Sequence, residues 1–172
     1  LSFAEYSRVT RRSLRAYLFE GGYPEVVMNP SMAQGLLESY FEQALVRDVL
    51  NRNDIRQQAA LRSLALHLLT NSGNMTSLRQ LRPVLKLSYD ALRRFIDLLE
   101  NAYLLFQVPY FSFSTKRSFS EPRKVYSWDN GIQSAVSKSF SADLGRKAET
   151  AVAIELRRRK LDVYYWRGGG HE

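Results

Sequence analysis

The sequence predicts an α+β fold, mainly α, organised around a winged helix-turn-helix. Three observations point to it: three amphipathic segments in under fifty residues, strand-forming residues directly after them, and a basic polar stretch between two strands. Leu61, Leu64, Ala65 and Leu68 follow the i, i+3, i+4, i+7 spacing of a helix with one buried face. Asn71-Ser72-Gly73-Asn74 stops that helix. Thr76 or Ser77 can cap a short second helix holding Leu78 and Leu81, which Pro83 is expected to end or kink. Ser88 suits the N-cap of a third helix, striped by Leu92, Phe95, Ile96 and Leu99. Tyr103-Leu104-Leu105-Phe106-Gln107-Val108 is rich in strand formers, and Pro109 confines it to an edge or an end. Phe111-Ser112-Phe113-Ser114 alternates with period two, and a polar stretch with Lys116, Arg117 and Pro122 leads to a strand at Lys124-Val125-Tyr126-Ser127-Trp128. These strands and the basic loop between them form the expected wing. The unit is expected over residues 58–128.

The flanks read as helix and then helix plus strand. Residues 1–57 form a helical segment: Ser13 can cap a helix, Gly21-Gly22-Tyr23-Pro24 breaks it, and Asn29-Pro30-Ser31 starts the next. Leu37, Tyr40, Phe41, Ala44 and Leu45 give that next helix a buried face, and Arg47, Asp48, Arg52, Asp54 and Arg56 end it as a solvated, charge-alternating surface. Residues 129–172 open on the turn signal Asp129-Asn130-Gly131. A helix from about Gly145 is expected to bury Ala148, Ala151, Val152 and Leu156, and its basic end at Arg157-Arg158-Arg159-Lys160 suits a helix C-terminus. A strand at Val163-Tyr164-Tyr165-Trp166-Arg167 comes last, with no further strand to pair with, so both ends read as cuts.

Composition narrows the function. The 172 residues carry 25 Lys and Arg against 17 Asp and Glu, a net charge of +8 that favours a polyanionic partner. No apolar run approaches the ~20 residues of a membrane span, so no membrane role is expected. Cysteine is absent, which excludes disulfides and thiolate metal sites. The two histidines, His67 and His171, are too far apart in sequence to suggest a zinc site. There is no Gly-x-x-x-x-Gly-Lys-Ser/Thr phosphate loop, and Gly168-Gly169-Gly170 opens no helix that could hold an anion.

In a helix-turn-helix the start of the third helix faces the major groove, which selects Ser88, Tyr89, Arg93 and Arg94 as DNA-binding candidates. Lys116 and Arg117 at the wing suit the backbone or the minor groove. Asp90 would face phosphate unfavourably and supports the competing reading, a protein-docking or self-association module. Glu149 on the last helix and Glu172 just beyond the last strand could contribute to a magnesium site, but without the rest of the sheet surface ion pairing is the favoured role for each.

Several phrases in order resemble one family. Leu1-Ser2-Phe3-Ala4-Glu5-Tyr6, Gly21-Gly22-Tyr23-Pro24-Glu25-Val26, Leu99-Glu100-Asn101-Ala102-Tyr103-Leu104-Leu105, Arg123 through Gly131, and Gly145 through Arg167 are similar to the region after the ATPase module of a prokaryotic AAA-type ATPase family. The resemblance covers nearly the whole chain. It implies a missing N-terminal ATPase module, then the helical segment and winged helix, then the beginning of a PD-(D/E)xK nuclease-like domain of unknown function. Glu149 matches that domain's helix glutamate, and Glu172 leads into a strand whose metal-binding aspartate and lysine are not in this sequence. ATP and magnesium thus belong to the parent. The resemblance implies a cytoplasmic, DNA-acting protein, and for this chain neither a cofactor nor an active site of its own.

Overall fold

The computed structural model describes residues 1–53, 55–137 and 143–167. It is mainly helical with one three-stranded antiparallel sheet, the α+β class expected. Helix α1 (Phe3–Thr10) starts on a capping box: Ser2 accepts from the Glu5 N–H while the Glu5 carboxylate accepts from the Ser2 N–H. Helix α2 (Leu14–Glu20) is capped by Ser13, and Gly21, at φ 76°, ends it. Pro24 opens α3 (Pro24–Met28), where its lack of an N–H costs nothing. A 3₁₀ turn at Pro30–Met32 leads into α4 (Ala33–Gln43), which runs on as a π-helical segment over Ala44–Leu50. The charged end lies outside as expected: Arg47, Arg52 and Arg56 are exposed and Arg52 pairs with Asp48 at 3.3 Å, while Leu45 and Val49 are fully buried.

The central unit runs α5 (Gln58–Thr70), β1 (Met75–Thr76), α6 (Leu78–Leu85), α7 (Tyr89–Asn101), β2 (Leu105–Val108), α8 (Thr115–Ser120) and β3 (Arg123–Ser127). The sheet order is β1-β3-β2, with Thr76 opposite Arg123 and Phe106 opposite Tyr126. Ser88 caps α7 as expected, its hydroxyl accepting from the Ala91 N–H at 3.1 Å. The structure departs from the sequence reading at two points in this stretch. Pro83 does not end α6, which continues to Leu85. Arg79 and Pro83 are both exposed, so water can meet the carbonyl that Pro83 leaves without a donor. The wing is not a loop between regular strands either: Phe111 to Phe113 forms no strand and Phe113 is 97% exposed, while Lys116 and Arg117 lie in α8, capped by Ser114.

After the sheet come α9 (Asn130–Val136) and α10 (Leu144–Arg158). Asp129-Asn130-Gly131 is a helix start and not merely a turn, because the Asp129 carboxylate accepts from the N–H groups of Gly131 and Ile132. The same carboxylate accepts from the Gly22 N–H at 2.7 Å and so ties the first helices to α9. Burial pushes the Asp129 carboxyl above its ordinary value, against the pull of these three donors. The face that α10 buries is also not the one expected: Lys147, Thr150 and Ala153 point inward while Val152 is 59% exposed. The polar pair is satisfied, Lys147 donating to Ser134 Oγ at 2.6 Å and Thr150 sharing a hydrogen bond with Ser72 at 3.1 Å.

Period-two alternation splits the sheet between two cores. Leu105 and Val125 join a continuous core that extends from Val26 to Ile132 and contains the stripes of α4, α5 and α7. Phe106, Val108 and Tyr126 face α10, with Tyr110, Ala153 and Tyr165, in a smaller aromatic core. The expected last strand is reduced to one parallel bridge between Tyr110 and Tyr165. Residues 168–172, which include His171 and Glu172, lie outside the described residues, as does Asp54.

Candidate nucleic-acid interface

The α6–α7 corner presents a continuous basic surface. Lys86 closes α6 in the left-handed region at φ 52°, and buried Leu87 anchors the turn, so α7 leaves at an angle with its first residues exposed. A groove of about 690 Å³ lies between α6, α7 and β3, with Arg79, Tyr89, Arg93 and Arg123 on its walls beside Asp97 and Glu121. A second depression shares Arg79 and Tyr89 and adds Arg82, Pro83 and Lys86. Arg79, Arg82, Lys86, Arg93 and Arg123 are all exposed. None of the five has a carboxylate within ion-pair distance among the described residues. The Arg93 guanidinium sits over the Tyr89 ring, 4.7 Å from its centroid, which fixes its position in the groove.

The structure gathers only part of the sequence-selected set here. Tyr89 and Arg93 line the groove, and Ser88 is spent on capping α7. Arg94 is turned away, since one residue along a helix rotates by ~100°, and it borders a separate depression with Ile55, Arg56 and Phe95. Arg117 is held internally, pairing with Glu121 at 3.6 Å and lying over the Tyr110 ring, while Lys116 is exposed. Glu121 also takes Arg167 at 3.0 Å, which leaves Asp97 as the acid in the groove without an ion-pair partner among the described residues. Arg79, Arg82, Lys86 and Arg123 were not singled out from the sequence. The i, i+3, i+7 spacing of the first three on α6 is the signal that could have found them.

Glu149 lies elsewhere, on α10 beside the sheet. Its Oε1 accepts from Lys124 Nζ and from the Tyr126 hydroxyl, both at 2.7 Å. Partial burial pushes its carboxyl up, but these two donors outweigh it and the group lies below its ordinary value. Among the described residues no group of three or more His, Asp or Glu side chains is placed to hold a metal. No helix among the described residues is long and apolar enough to cross a membrane.

Comparison with known proteins gives a family. Residues 11–143 match the model of a domain of unknown function, DUF8612. Two curated relatives are an uncharacterized protein, MJ1544, of the archaeon Methanocaldococcus jannaschii, and an uncharacterized protein of the bacterium Haemophilus influenzae. The first is 31% identical over 90% of this chain and 36% of its own length, the second 26% identical over 95% and 44%. The chain therefore spans about two fifths of the length of these relatives. No solved structure matches significantly. The chain belongs to the DUF8612 family.

Proposed function

We propose that this region of a DUF8612 protein binds double-stranded DNA through a winged helix-turn-helix running from α5 to β3, within a longer prokaryotic ATPase of the AAA type. The observation that carries the reading is the unpaired cationic surface shared by α6, α7 and β3. Its supporting frame is the element order α5-β1-α6-α7-β2-α8-β3 with the sheet order β1-β3-β2, in which a short helix stands where a winged helix has its wing loop and the start of the third helix is exposed. The ATPase context rests on the ordered motifs from Leu1 to Arg167 and is compatible with the greater length of the relatives. In this reading ATP and magnesium are bound by a module outside this chain. That module is the region's nearest partner, the protein works in the cytoplasm, and this chain alone is not an enzyme. Glu149, the nuclease-like candidate, serves here as an anchor for Lys124 and Tyr126.

Fluorescence anisotropy with a labelled duplex tests the proposal. Wild-type protein binds at low salt, and affinity falls steeply between about 50 and 200 mM as counterions are released. Replacing Arg79, Arg93 and Arg123 together by alanine weakens binding and flattens that dependence by roughly 0.9 per cation lost. An unchanged affinity would remove this surface from the interface.

A second reading, a protein-interaction or self-association module, is favoured by one separate observation. Phe111 packs edge-on against Phe113 at 5.2 Å and Tyr164 at 6.0 Å, and all three rings are exposed. A stable oligomer in light scattering, dissociated by Phe111→Ser with Phe113→Ser, together with no duplex binding at low salt, would favour it.

A further inference from the structure

Resting on the DNA-binding reading above, we infer that this surface recognises duplex DNA through its phosphate backbone, independent of base sequence, with α6 and not α7 as the principal contact element. Arg79 and Arg82 on α6 and Lys86 at its left-handed C-cap are exposed and line one depression, spread over about 10 Å. The DNA backbone is a dense row of charges, so these cations can meet adjacent phosphates of one strand. Pro83 lies beside these cations in the same depression, and α6 contains no acid.

The outward ridge of α7 has the opposite character over most of its length. It begins with Tyr89 and Arg93 and continues with Asp97 and Glu100. Asp97 is exposed in the groove, and Glu100 is occupied by the backbone N–H and the side-chain amide of Gln107. Asp90 adds another exposed carboxylate to the first turn. Laid lengthwise in a major groove, this ridge would bring carboxylates between two rows of phosphates, and an acid finds few base-edge donors there. Arg93 is held over Tyr89 at the entrance of the ridge, a position suited to a phosphate beside α6. Arg123, opposite Thr76 in the sheet, supplies a further cation from the other wall of the groove. Helix α7 thus orients the surface, and α6 supplies most of its charge.

The test uses three labelled duplexes of equal length and unrelated sequence, with the wild-type chain, the R79Q/R82Q/K86Q variant, and Arg93→Ala. Melting curves check that each exposed substitution leaves the fold intact. Wild-type dissociation constants are expected to agree within about threefold across the duplexes, whereas specific binders discriminate by about 10³-fold or more. The α6 variant is expected to lose roughly 0.9 per cation, about 2.7 in all, from the slope of log affinity against log salt, equally on each duplex. Two outcomes would overturn the inference and leave DNA binding standing: a strong preference for one duplex that Arg93→Ala erases, or a wild-type slope in the α6 variant. No duplex binding at low salt, with or without binding to polyglutamate, would overturn both this inference and the proposed function.

Discussion

Two basic clusters of this chain have opposite fates. At the end of α10, Arg158 pairs with Glu155 at 2.9 Å and with Glu5 at 3.7 Å, Arg159 pairs with Glu155 at 2.8 Å, and Arg157 lies over the Phe106 ring. These cations also face the negative end of their own helix dipole. On α6, α7 and β3, Arg79, Arg82, Lys86, Arg93 and Arg123 have no such acid among the described residues. A high count of arginines therefore says little about function. What separates a structural cluster from an available one is whether the fold brings acids within ion-pair distance: Asp97 and Glu121 share the groove with Arg79, Arg93 and Arg123 but pair with none of them among the described residues.

The largest difference is expected on removing charge from each cluster. R79Q/R82Q/K86Q should weaken duplex binding on the order of ten- to a hundredfold at low salt, while Arg158→Gln with Arg159→Gln should leave it within about threefold, both read by anisotropy. Comparable losses from both would erase the distinction. The next largest effect separates the frame from the surface. A Cβ on Gly131 would lie 2.3 Å from the Glu20 carbonyl oxygen, so Gly131→Ala should cost about 1–3 kcal/mol in chemical denaturation without changing the affinity of the folded protein.

A smaller effect concerns the ring beneath Arg93. Tyr89→Leu should weaken binding by roughly 0.5–1 kcal/mol and Tyr89→Phe should restore it, because the cation–π contact needs the ring and not the hydroxyl. Equal loss from both would assign the contact to the hydroxyl. The smallest is a pH effect at the α10 cluster. Hydrogen bonds from Arg158 and Arg159 hold the Glu155 carboxyl at about 2, below its ordinary 4.5. A depressed carboxylate stabilises the fold above the unfolded value and loses that contribution as pH falls through the folded one. The stability difference between wild type and Glu155→Gln should therefore shrink between about pH 4.5 and 2, modestly, since the pair is solvent-screened.

The helices α2, α5 and α7 were legible because their signals are local: the caps at Ser13 and Ser88 need only a nearby backbone N–H, and the stripes of Leu61 to Leu68 and Leu92 to Leu99 need only helical periodicity. What was not legible depends on tertiary partners. Asp129 looks like a turn residue until Gly22 arrives to share its carboxylate. The inward face of α10 carries Lys147 and Thr150, which only Ser134 and Ser72 make tolerable, so an apolar stripe pointed to the wrong side. Phe111 to Phe113 alternates like a strand, yet its backbone pairing stops at the Phe111 N–H, which donates to the Tyr165 carbonyl, and no strand forms. At the site, Tyr89 and Arg93 were readable from their place at the start of a third helix. Arg94 was separated from them by a single residue of helical rotation, and Arg117 by the acid Glu121. The spacing of Arg79, Arg82 and Lys86 is local, but whether acids pair with them depends on the tertiary fold.

The most direct test is the salt dependence of duplex binding measured side by side for wild type, the α6 variant and the α10 variant. A steep wild-type slope, retained when Arg158 and Arg159 are neutralised and reduced by about 2.7 when Arg79, Arg82 and Lys86 are, is the expected result. A slope that does not respond to the α6 substitutions, or that falls as much for the α10 pair, would contradict the assignment of DNA binding to the unpaired cations of α6.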